Sequence, residues 1–224
     1  MGVPDDSRLM HTLTCAEVGT ARQAVTWLGR AIHVGVARCI VRELIARGWV
    51  TRGLRYGSAY SGIDTFAAAV EEETAGRFTY VFACEWGERE RLALRRTWEE
   101  RGLSEGRIWE DAEEAGRGET EAVDLWVASP DCGKHSKRNH EREGEEQAAS
   151  LEGIEASLGY LYRCRPKVVV VENVAEASIV GPLGAMLRRL PGYEWEDGVM
   201  DAERDARAPV MSRARHIWMG RRAE

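Results

Sequence analysis

The run Pro166–Val171, which reads PKVVVV, constrains the fold more than any other part of the sequence. Four consecutive valines leave no polar side of the strand to face water. Such continuous apolar strands are typical of parallel sheets whose two faces are both covered by helices. The run therefore indicates an α/β protein rather than an open antiparallel sheet.

Strands and helices are predicted to alternate along the rest of the chain. Periodicity predicts further strands at 54–63, 78–85, 122–128 and 215–220, and helices at 21–47, 65–73, 89–101, 151–163 and 183–190. This alternation favours a largely parallel sheet, in which ligands bind beyond the carboxyl ends of the strands. Ser61, Glu85, Cys132 and Glu172 fall at those ends and are therefore the candidate functional residues.

Composition limits the class of protein. The 224 residues, 44% of them hydrophobic, suffice for one well-buried domain. No apolar run is long enough to cross a bilayer, and the N-terminus lacks the pattern of a secretory signal. Five cysteines without close pairs argue against a disulfide framework. We therefore expect a cytoplasmic protein without a membrane partner.

The charge distribution is uneven although the net charge is −6. A negative total disfavours nucleic-acid binding, but the placement of charge matters more than its sum. Lys134, Lys137, Arg138 and Arg142 follow Cys132, and a second basic cluster lies in 204–222. Both clusters are compatible with a nucleic-acid contact and equally with ordinary solvated surface.

Cys132 lies in the segment 129–136, which reads SPDCGKHS. Cationic neighbours lower the pKa of a thiol and favour the nucleophilic thiolate, although an ordinary loop cysteine fits the same context. Cys132 and His135 also have the spacing of metal ligands. Structural zinc usually needs two such pairs, and the sequence has no second one, so we predict no metal site.

Glu172 directly follows the four valines. Burial there would raise the pKa of its carboxyl group and allow it to act as an acid, whereas a strand-end glutamate can also simply face water. Arg213 and Arg215 alternate before the last predicted strand and so point to one side. They could orient a base, a phosphate or a carboxylate, or form an exposed basic edge.

A second group of residues has the character of a nucleotide-binding site. Tyr60–Gly62 follows the first predicted strand, and a glycine turn lets backbone N–H groups approach a ligand closely. Glu85, at the end of the second strand, occupies the position that commonly binds ribose hydroxyls. Trp86 could stack on an adenine, and Asp111 could accept its amino group. The full G-x-G-x-x-G pattern is absent, so the glycine turn alone is a weak signal.

Taken together and in order, these motifs resemble the DNA cytosine-C5 methyltransferase family over residues 54–220. Tyr60–Ile63 is similar to its Phe-Ser-Gly-x-Gly motif, Ser129–Cys132 with Ser136 to its Pro-Cys loop, Glu172–Val174 to its Glu-Asn-Val, and Arg213-x-Arg215 to its Gln-x-Arg-x-Arg. The resemblance implies a Rossmann-like, S-adenosylmethionine-dependent methyltransferase fold with a mostly parallel central sheet. It also implies S-adenosyl-L-methionine as cofactor.

The resemblance assigns roles to individual residues. Catalysis would use Cys132 as the nucleophile toward C6 of a flipped-out cytosine, Glu172 at N3, and Arg213 and Arg215 to fix the base. Cofactor contacts would come from Tyr60, Ser61, Gly62, Ile63, Glu85, Trp86, Asp111, Ser129 and Arg30. Substrate contacts would come from Asn173, Lys134, Ser136, Lys137 and Arg138. The expected partner is DNA; RNA, or an inactive cofactor-binding accessory subunit, remains an alternative.

The order of the motifs departs from that of the family. Leu28–Ile32 and the following helix resemble the final cofactor-side motif, which normally comes last. We therefore predict a circular permutation, in which a helical segment 1–53 packs on a catalytic region 54–224 to form one structural domain. No segment resembles a target-recognition domain, so the loops could read a very short sequence, or a homodimer or a separate subunit could supply recognition. A bacterial or phage origin is expected.

Individual positions depart from the family pattern as well. Asp131 replaces the proline before the cysteine, Met211 replaces glutamine, Asp64 replaces the second motif glycine, and Arg30 replaces asparagine. A guanidinium beside a sulfonium is unfavourable unless an anion lies between them. A carboxylated analogue of S-adenosylmethionine is therefore an alternative cofactor.

Overall fold

A computed structural model describes residues 20–103, 106–117, 120–130, 154–155, 158–206 and 214–223. Several of the predicted functional residues lie outside these ranges: Cys132, Lys134, Ser136, Lys137, Arg138 and Arg213. Two of the positions that depart from the family pattern, Asp131 and Met211, lie outside them as well.

A seven-stranded sheet with the order β3-β2-β1-β4-β5-β7-β6 organises the chain. Its strands are β1 Arg55–Ala59, β2 Thr79–Cys84, β3 Arg107–Trp109, β4 Leu125–Ala128, β5 Val168–Val174, β6 Tyr193–Asp201 and β7 Ala214–Arg222. Neighbours from β3 to β5 pair in parallel, and β7 runs antiparallel to both β5 and β6. The predicted α/β fold with a mostly parallel sheet is confirmed.

Helices cover the sheet. They are α1 Ala21–Arg30, α2 Val34–Ala46, α3 Thr65–Thr74, α4 Glu88–Arg101, α5 Ala112–Arg117, α6 at 158–164, α7 Val180–Arg188 and α8 Ala202–Ala206. None of the helices that the structure describes is long and apolar enough to cross a bilayer.

The valines of β5 divide between two hydrophobic cores. Val168 and Val170 pack into the core that includes residues of α2, α3 and α4, and Val169 and Val171 pack into the core that includes residues of α6 and α7. All four side chains are at most 1% exposed. Because alternate residues of a strand point to opposite faces, only a strand covered on both sides can bury four in succession.

The single helix predicted over 21–47 is wrong in one respect, because the structure has two helices with a break at 31–33. Thr20 forms a capping box with Gln23 at the start of α1. At the break, His33 Nδ1 accepts a hydrogen bond from the Gly35 N–H at 3.1 Å, and the Ile32 carbonyl accepts one from Thr65 Oγ1 at 2.9 Å. These side-chain bonds replace helical bonds and begin α2 anew.

Several elements were not predicted. The strands β3 and β6 and the helices α5 and α8 lie in segments for which the sequence pattern predicted no element. The strand β5 also extends three residues further than predicted, through Glu172–Val174, because β7 pairs with it along its whole length. Glu172 therefore lies within the strand rather than after it.

The packing of β1 against β2 gives a test of the fold. A Cβ on Gly57 would lie 2.5 Å from the Phe82 ring, whereas one on Gly53 would meet nothing within 4 Å. We expect Gly57→Ala to lower the free energy of unfolding by about 1–3 kcal/mol, because the buried ring must move. Gly53→Ala should change it by less than about 0.5 kcal/mol. Urea denaturation of both variants measures the difference, and equal effects would contradict this packing.

Candidate active site

The candidate site lies at the carboxyl edge of the sheet, between β1 and β4. The strand order reverses there, because β2 lies on one side of β1 and β4 on the other. Such a switch point leaves a crevice above the sheet in which α/β proteins bind ligands. The chain after β1 forms the loop 60–64, and the chain after β4 begins with Ser129, whose N–H donates to the Ala59 carbonyl at 3.3 Å.

The loop 60–64 has an unusual backbone. Tyr60, Gly62 and Asp64 all have positive φ angles, of 54°, 55° and 46°. Ser61 fixes the loop to β2: its N–H donates to the Cys84 carbonyl at 3.0 Å, and its Oγ accepts from the Cys84 N–H at 3.2 Å. A Cβ at Gly62 would meet nothing within 4 Å, so backbone conformation rather than space favours glycine there.

Glu85 connects this loop to the end of β2. Its carboxylate accepts hydrogen bonds from the Gly62 N–H at 2.7 Å and from the Gly87 N–H at 2.8 Å. The side chain is buried, and burial raises the pKa of its carboxyl group against the opposing effect of the two amides. The predicted ribose-binding carboxylate therefore lies against the predicted glycine turn.

Trp86 and Asp111, the two residues predicted to contact an adenine, are both exposed. The Trp86 side chain is 79% exposed, so one face of a large ring is open. Arg91, which the sequence analysis did not identify, fixes the backbone at this point. Its Nη1 donates to the carbonyls of Glu85 at 3.0 Å and of Trp86 at 2.6 Å. The only sequence signal for this role is the presence of an arginine six residues after Glu85, near the start of α4.

Asp64, which stands where the resemblance predicted a glycine, connects several elements through its carboxylate. Its carboxylate accepts hydrogen bonds from the hydroxyls of Tyr56 at 2.8 Å and Ser58 at 2.6 Å, from the Tyr80 hydroxyl, and from the Ala67 N–H at 3.0 Å. Burial raises the pKa of this carboxyl group, and the four donors oppose that effect. Asp64 thus joins β1, β2 and the start of α3 beneath the loop.

Glu172 and Arg215 form an ion pair at the carboxyl end of β5. The contact joins Arg215 Nε to Glu172 Oε1, and each residue is only 6% exposed. The antiparallel register of β5 and β7, with Val174 opposite Arg215, brings the two side chains diagonally together on one face. A buried charge is tolerated when a partner of opposite charge compensates it, so each residue stabilises the other in this position.

Asn173 joins the ends of β5 and β4. Its Nδ2 donates to the Pro130 carbonyl at 3.1 Å, and its Oδ1 accepts from the Val174 N–H at 2.8 Å. The residue is 2% exposed. Asn173 was predicted to bind substrate, and in the structure its amide groups are engaged in these two contacts. The contact brings the Glu172 segment to the chain that leads toward Cys132.

The helix α1 lies against the outer side of the loop. Ile63 is buried in a cluster with Ala24, Trp27 and Ala93, so its side chain packs against α1 and α4. Trp27 Nε1 donates to Glu90 Oε1 at 2.6 Å. Arg30 ends α1 and is exposed, and it has no acidic partner among the residues that the structure describes. Whether this segment is a permuted motif stays a prediction.

The structure thus brings several of the predicted cofactor-binding residues together, whereas the roles of Cys132 and Arg213 stay predictions. Tyr60–Ile63, Glu85 and Ser129 lie at the same edge of the sheet, and Glu172 contacts Arg215. The part of the chain with described coordinates contains no group of three or more potential metal ligands. Cys132 and Arg213 lie outside that part.

Comparison with known proteins places the fold. No protein-family model matches the chain, and neither does any curated protein sequence. The SAM-dependent methyltransferase of Agrobacterium tumefaciens matches with a TM-score of 0.55 and 11% identity over 84% of this chain and 62% of that one. Dnmt2 methyltransferase of S. pombe matches with a TM-score of 0.51 and 17% identity, over 76% and 50%. A prophage-encoded E. coli protein assigned as a DNA modification methyltransferase matches with a TM-score of 0.55 and 13% identity, over 75% and 47%.

These likenesses show that the chain has the fold of S-adenosylmethionine-dependent methyltransferases. This chain spans between 47% and 62% of the length of the three proteins. An rRNA methylase and a precorrin methyltransferase match at TM-scores of 0.53 and 0.52. The fold therefore does not distinguish among substrates, which have to be inferred from the site.

The Asp64 network predicts a large effect of a nearly isosteric change. Asp64→Asn places an amide N–H₂ group among donors, so at least one buried hydroxyl loses its acceptor. We expect the free energy of unfolding at pH 7 to fall by about 1–3 kcal/mol. Glu194→Gln, which removes an exposed carboxylate from β6, should change it by less than about 0.5 kcal/mol. Urea denaturation measures both, and an unaffected Asp64→Asn protein would show that the network contributes no net stability.

Proposed function

We propose that the protein is an S-adenosylmethionine-dependent methyltransferase that modifies C5 of cytosine in DNA through a covalent adduct with Cys132. The buried Glu172–Arg215 pair is the single observation that carries the proposal. A buried carboxyl group at the carboxyl end of a central strand is suited to hydrogen bonding with the polar edge of a flat ring. Its neighbour Asn173 contacts the strand end that leads to the only cysteine in a basic loop.

The residues at the end of β1 and β2 fit S-adenosylmethionine. The positive-φ loop 60–64 lies against the buried Glu85 carboxylate, which can accept ribose hydroxyls. The open Trp86 ring can stack on the adenine. When bound, the cofactor would supply an electrophilic methyl group, and Arg91 would hold the backbone that carries both Glu85 and Trp86.

Cys132 can reach the same edge of the sheet. It follows Pro130 by two residues, and chain connectivity limits the separation of their Cα atoms to about 7.6 Å. The Pro130 carbonyl is itself 3.1 Å from Asn173 Nδ2, next to Glu172. A thiol and a carboxyl group could therefore flank one base between β4 and β5.

The chemistry then follows from the two side chains. The Cys132 thiolate adds to C6 of cytosine, and the electron pair of the C5–C6 double bond moves to C5, which is otherwise a poor nucleophile. The Glu172 carboxyl group, in its protonated form, would donate its proton to N3 and so neutralise the charge that the thiolate adds to the ring, while Arg215 keeps Glu172 in place. After methyl transfer, C5 loses its proton to a base, the C6–S bond breaks, and the thiolate is released.

We propose DNA as the substrate, and a cytosine in duplex DNA would have to leave the helix stack to enter a crevice of this kind. Lys134, Lys137 and Arg138 could neutralise backbone phosphates near Cys132. Two of the similar structures are Dnmt2 methyltransferase and the prophage-encoded protein assigned to DNA modification. Recognition of a target sequence would come from a second copy or a separate subunit.

Mechanism-based trapping tests the covalent step. In the presence of S-adenosylmethionine, the methylated C5 of 5-fluorocytosine in duplex DNA would carry fluorine in place of the proton that must leave, so the adduct should accumulate and migrate as a protein–DNA band in denaturing gels. We expect Cys132→Ala to abolish the band and Cys39→Ala, at another free cysteine, to leave it unchanged. Glu172→Gln should slow band formation by about a hundredfold or more.

The same experiment separates the alternatives. An adduct with 5-fluorocytidine RNA but not with DNA would favour an RNA substrate. No adduct with either nucleic acid, in a protein that still binds S-adenosylmethionine, would favour an accessory subunit. Running the assay with the carboxylated cofactor analogue in parallel tests the interpretation of Arg30.

Cofactor binding should depend on pH through Glu85. Only the ionised carboxylate accepts the ribose hydroxyls fully, and its pKa is raised above the usual value of 4.5. The affinity for S-adenosylmethionine should therefore be constant near neutral pH and fall as the pH drops through this raised pKa. Glu85→Gln should bind about tenfold more weakly at pH 7 and lose the pH dependence.

Isothermal titration calorimetry from pH 8 down to the acid limit of folding measures this dependence. Glu88→Gln, at an exposed position on the first turn of α4, serves as the control and should follow the wild-type curve. A Glu85→Gln protein that retains wild-type affinity would remove Glu85 from the cofactor site.

A further inference from the structure

A second cavity lies at the opposite, amino-terminal edge of the sheet. It has a volume of about 440 Å³, and its charged lining residues are Arg55, Glu121, Asp124, Arg165, Lys167 and Arg222. These residues come from the starts of β1, β4 and β5 and from the end of the antiparallel β7. The seven residues of β5, at about 3.3 Å each, place this edge roughly 20 Å from the candidate active site.

The charges of this cavity are not balanced. Arg55 pairs with Glu121, and Lys167 Nζ lies 2.7 Å from Asp124 Oδ1. Arg165 and Arg222 also line the cavity, and no carboxylate within the described ranges pairs with either of them. Two guanidinium groups thus contribute positive charge that no described acidic side chain neutralises.

Arg165 adopts a backbone conformation that its side chain disfavours. Its φ angle is 45°, in the left-handed region in which glycine is the usual residue. The carbonyl of Arg165 accepts a hydrogen bond from Arg222 Nη1 at 2.7 Å, so the second arginine helps to hold the first. A non-glycine residue held in this region is a backbone outlier, which motivates a functional hypothesis for its side chain.

Gly192 makes room for the Arg165 guanidinium. A Cβ at Gly192 would lie 2.3 Å from Arg165 Nη2, so any other residue would displace the guanidinium. The Gly192 carbonyl also accepts a hydrogen bond from the Ala223 N–H at 2.9 Å, next to Arg222. Arg165 is exposed, its backbone carbonyl is held by Arg222, and Gly192 leaves the space that its guanidinium occupies.

We propose that this cavity binds a phosphate group, held by the guanidinium groups of Arg165 and Arg222. Arginine matches the geometry of phosphate oxygens through paired N–H donors, and two guanidinium groups that lack a carboxylate partner among the described residues favour an anion over a neutral ligand. The phosphate could belong to a small phosphorylated molecule or to a nucleic-acid backbone. The site is separate from the methyl-transfer site and does not depend on that proposed function.

Calorimetric titration of the full chain with inorganic phosphate at low ionic strength tests the proposal. We expect saturable one-site binding that Arg165→Gly and Arg222→Ala each weaken about tenfold. Glycine suits the left-handed backbone at 165, so the first variant should fold at least as stably as the wild type. Arg95→Ala, which removes an exposed arginine from α4, should bind phosphate as the wild type does.

Competition then identifies the source of the phosphate. If duplex DNA displaces inorganic phosphate in the wild type, and much less in Arg165→Gly, the site binds nucleic-acid backbone. If only mononucleotides or sugar phosphates displace it, the ligand is a small molecule. Absence of phosphate binding by the wild type, or unchanged binding by a folded Arg165→Gly protein, would overturn the proposal.

Discussion

The burial of β5 on both faces is the constraint on which the rest of the structure depends. Four successive valines are covered only if helices pack on each side of the sheet, and α2, α3 and α4 on one side and α6 and α7 on the other meet that need. The cover extends to the carboxyl end of the strand, where Glu172 is also out of water. A charge in that place requires a partner, and β7 supplies it by pairing antiparallel with β5 and presenting Arg215.

The same principle explains the polar side chains at the carboxyl edge. The Glu85 carboxylate accepts hydrogen bonds from two backbone N–H groups, and the Asp64 carboxylate accepts them from three hydroxyls and one backbone N–H group. The Asn173 side chain forms hydrogen bonds through both its nitrogen and its oxygen. Each of these groups joins two elements that are distant in sequence. The site is therefore rigid where it meets the sheet, which suits the positioning of two ligands relative to each other.

Sequence alone predicted the parts of the fold that local patterns determine. The valine run predicted a strand directly, and the glycine turn at 60–62 and the carboxylates at 85 and 172 were identified because each adjoins an apolar segment that predicts a strand. The strand β6 was not predicted, because its exposed residues include Glu194, Glu196 and Asp197 and its pairing is provided by β7. The hydrogen bonds of Asp64 could not be predicted from the sequence either. Their three hydroxyl donors come from β1 and β2, and the register of these strands is defined only in the folded sheet.

The two edges of the sheet bear on how the protein behaves at high concentration. Exposed strand edges tend to pair with other chains and so cause aggregation. Here β3 has only three residues, and β6 carries acidic side chains along much of its length. A strand of a second copy added to β6 would lie against these charged side chains, of which Glu196 and Asp197 are ion-paired with Arg47 and Arg188, and a charged edge of this kind disfavours edge-to-edge pairing.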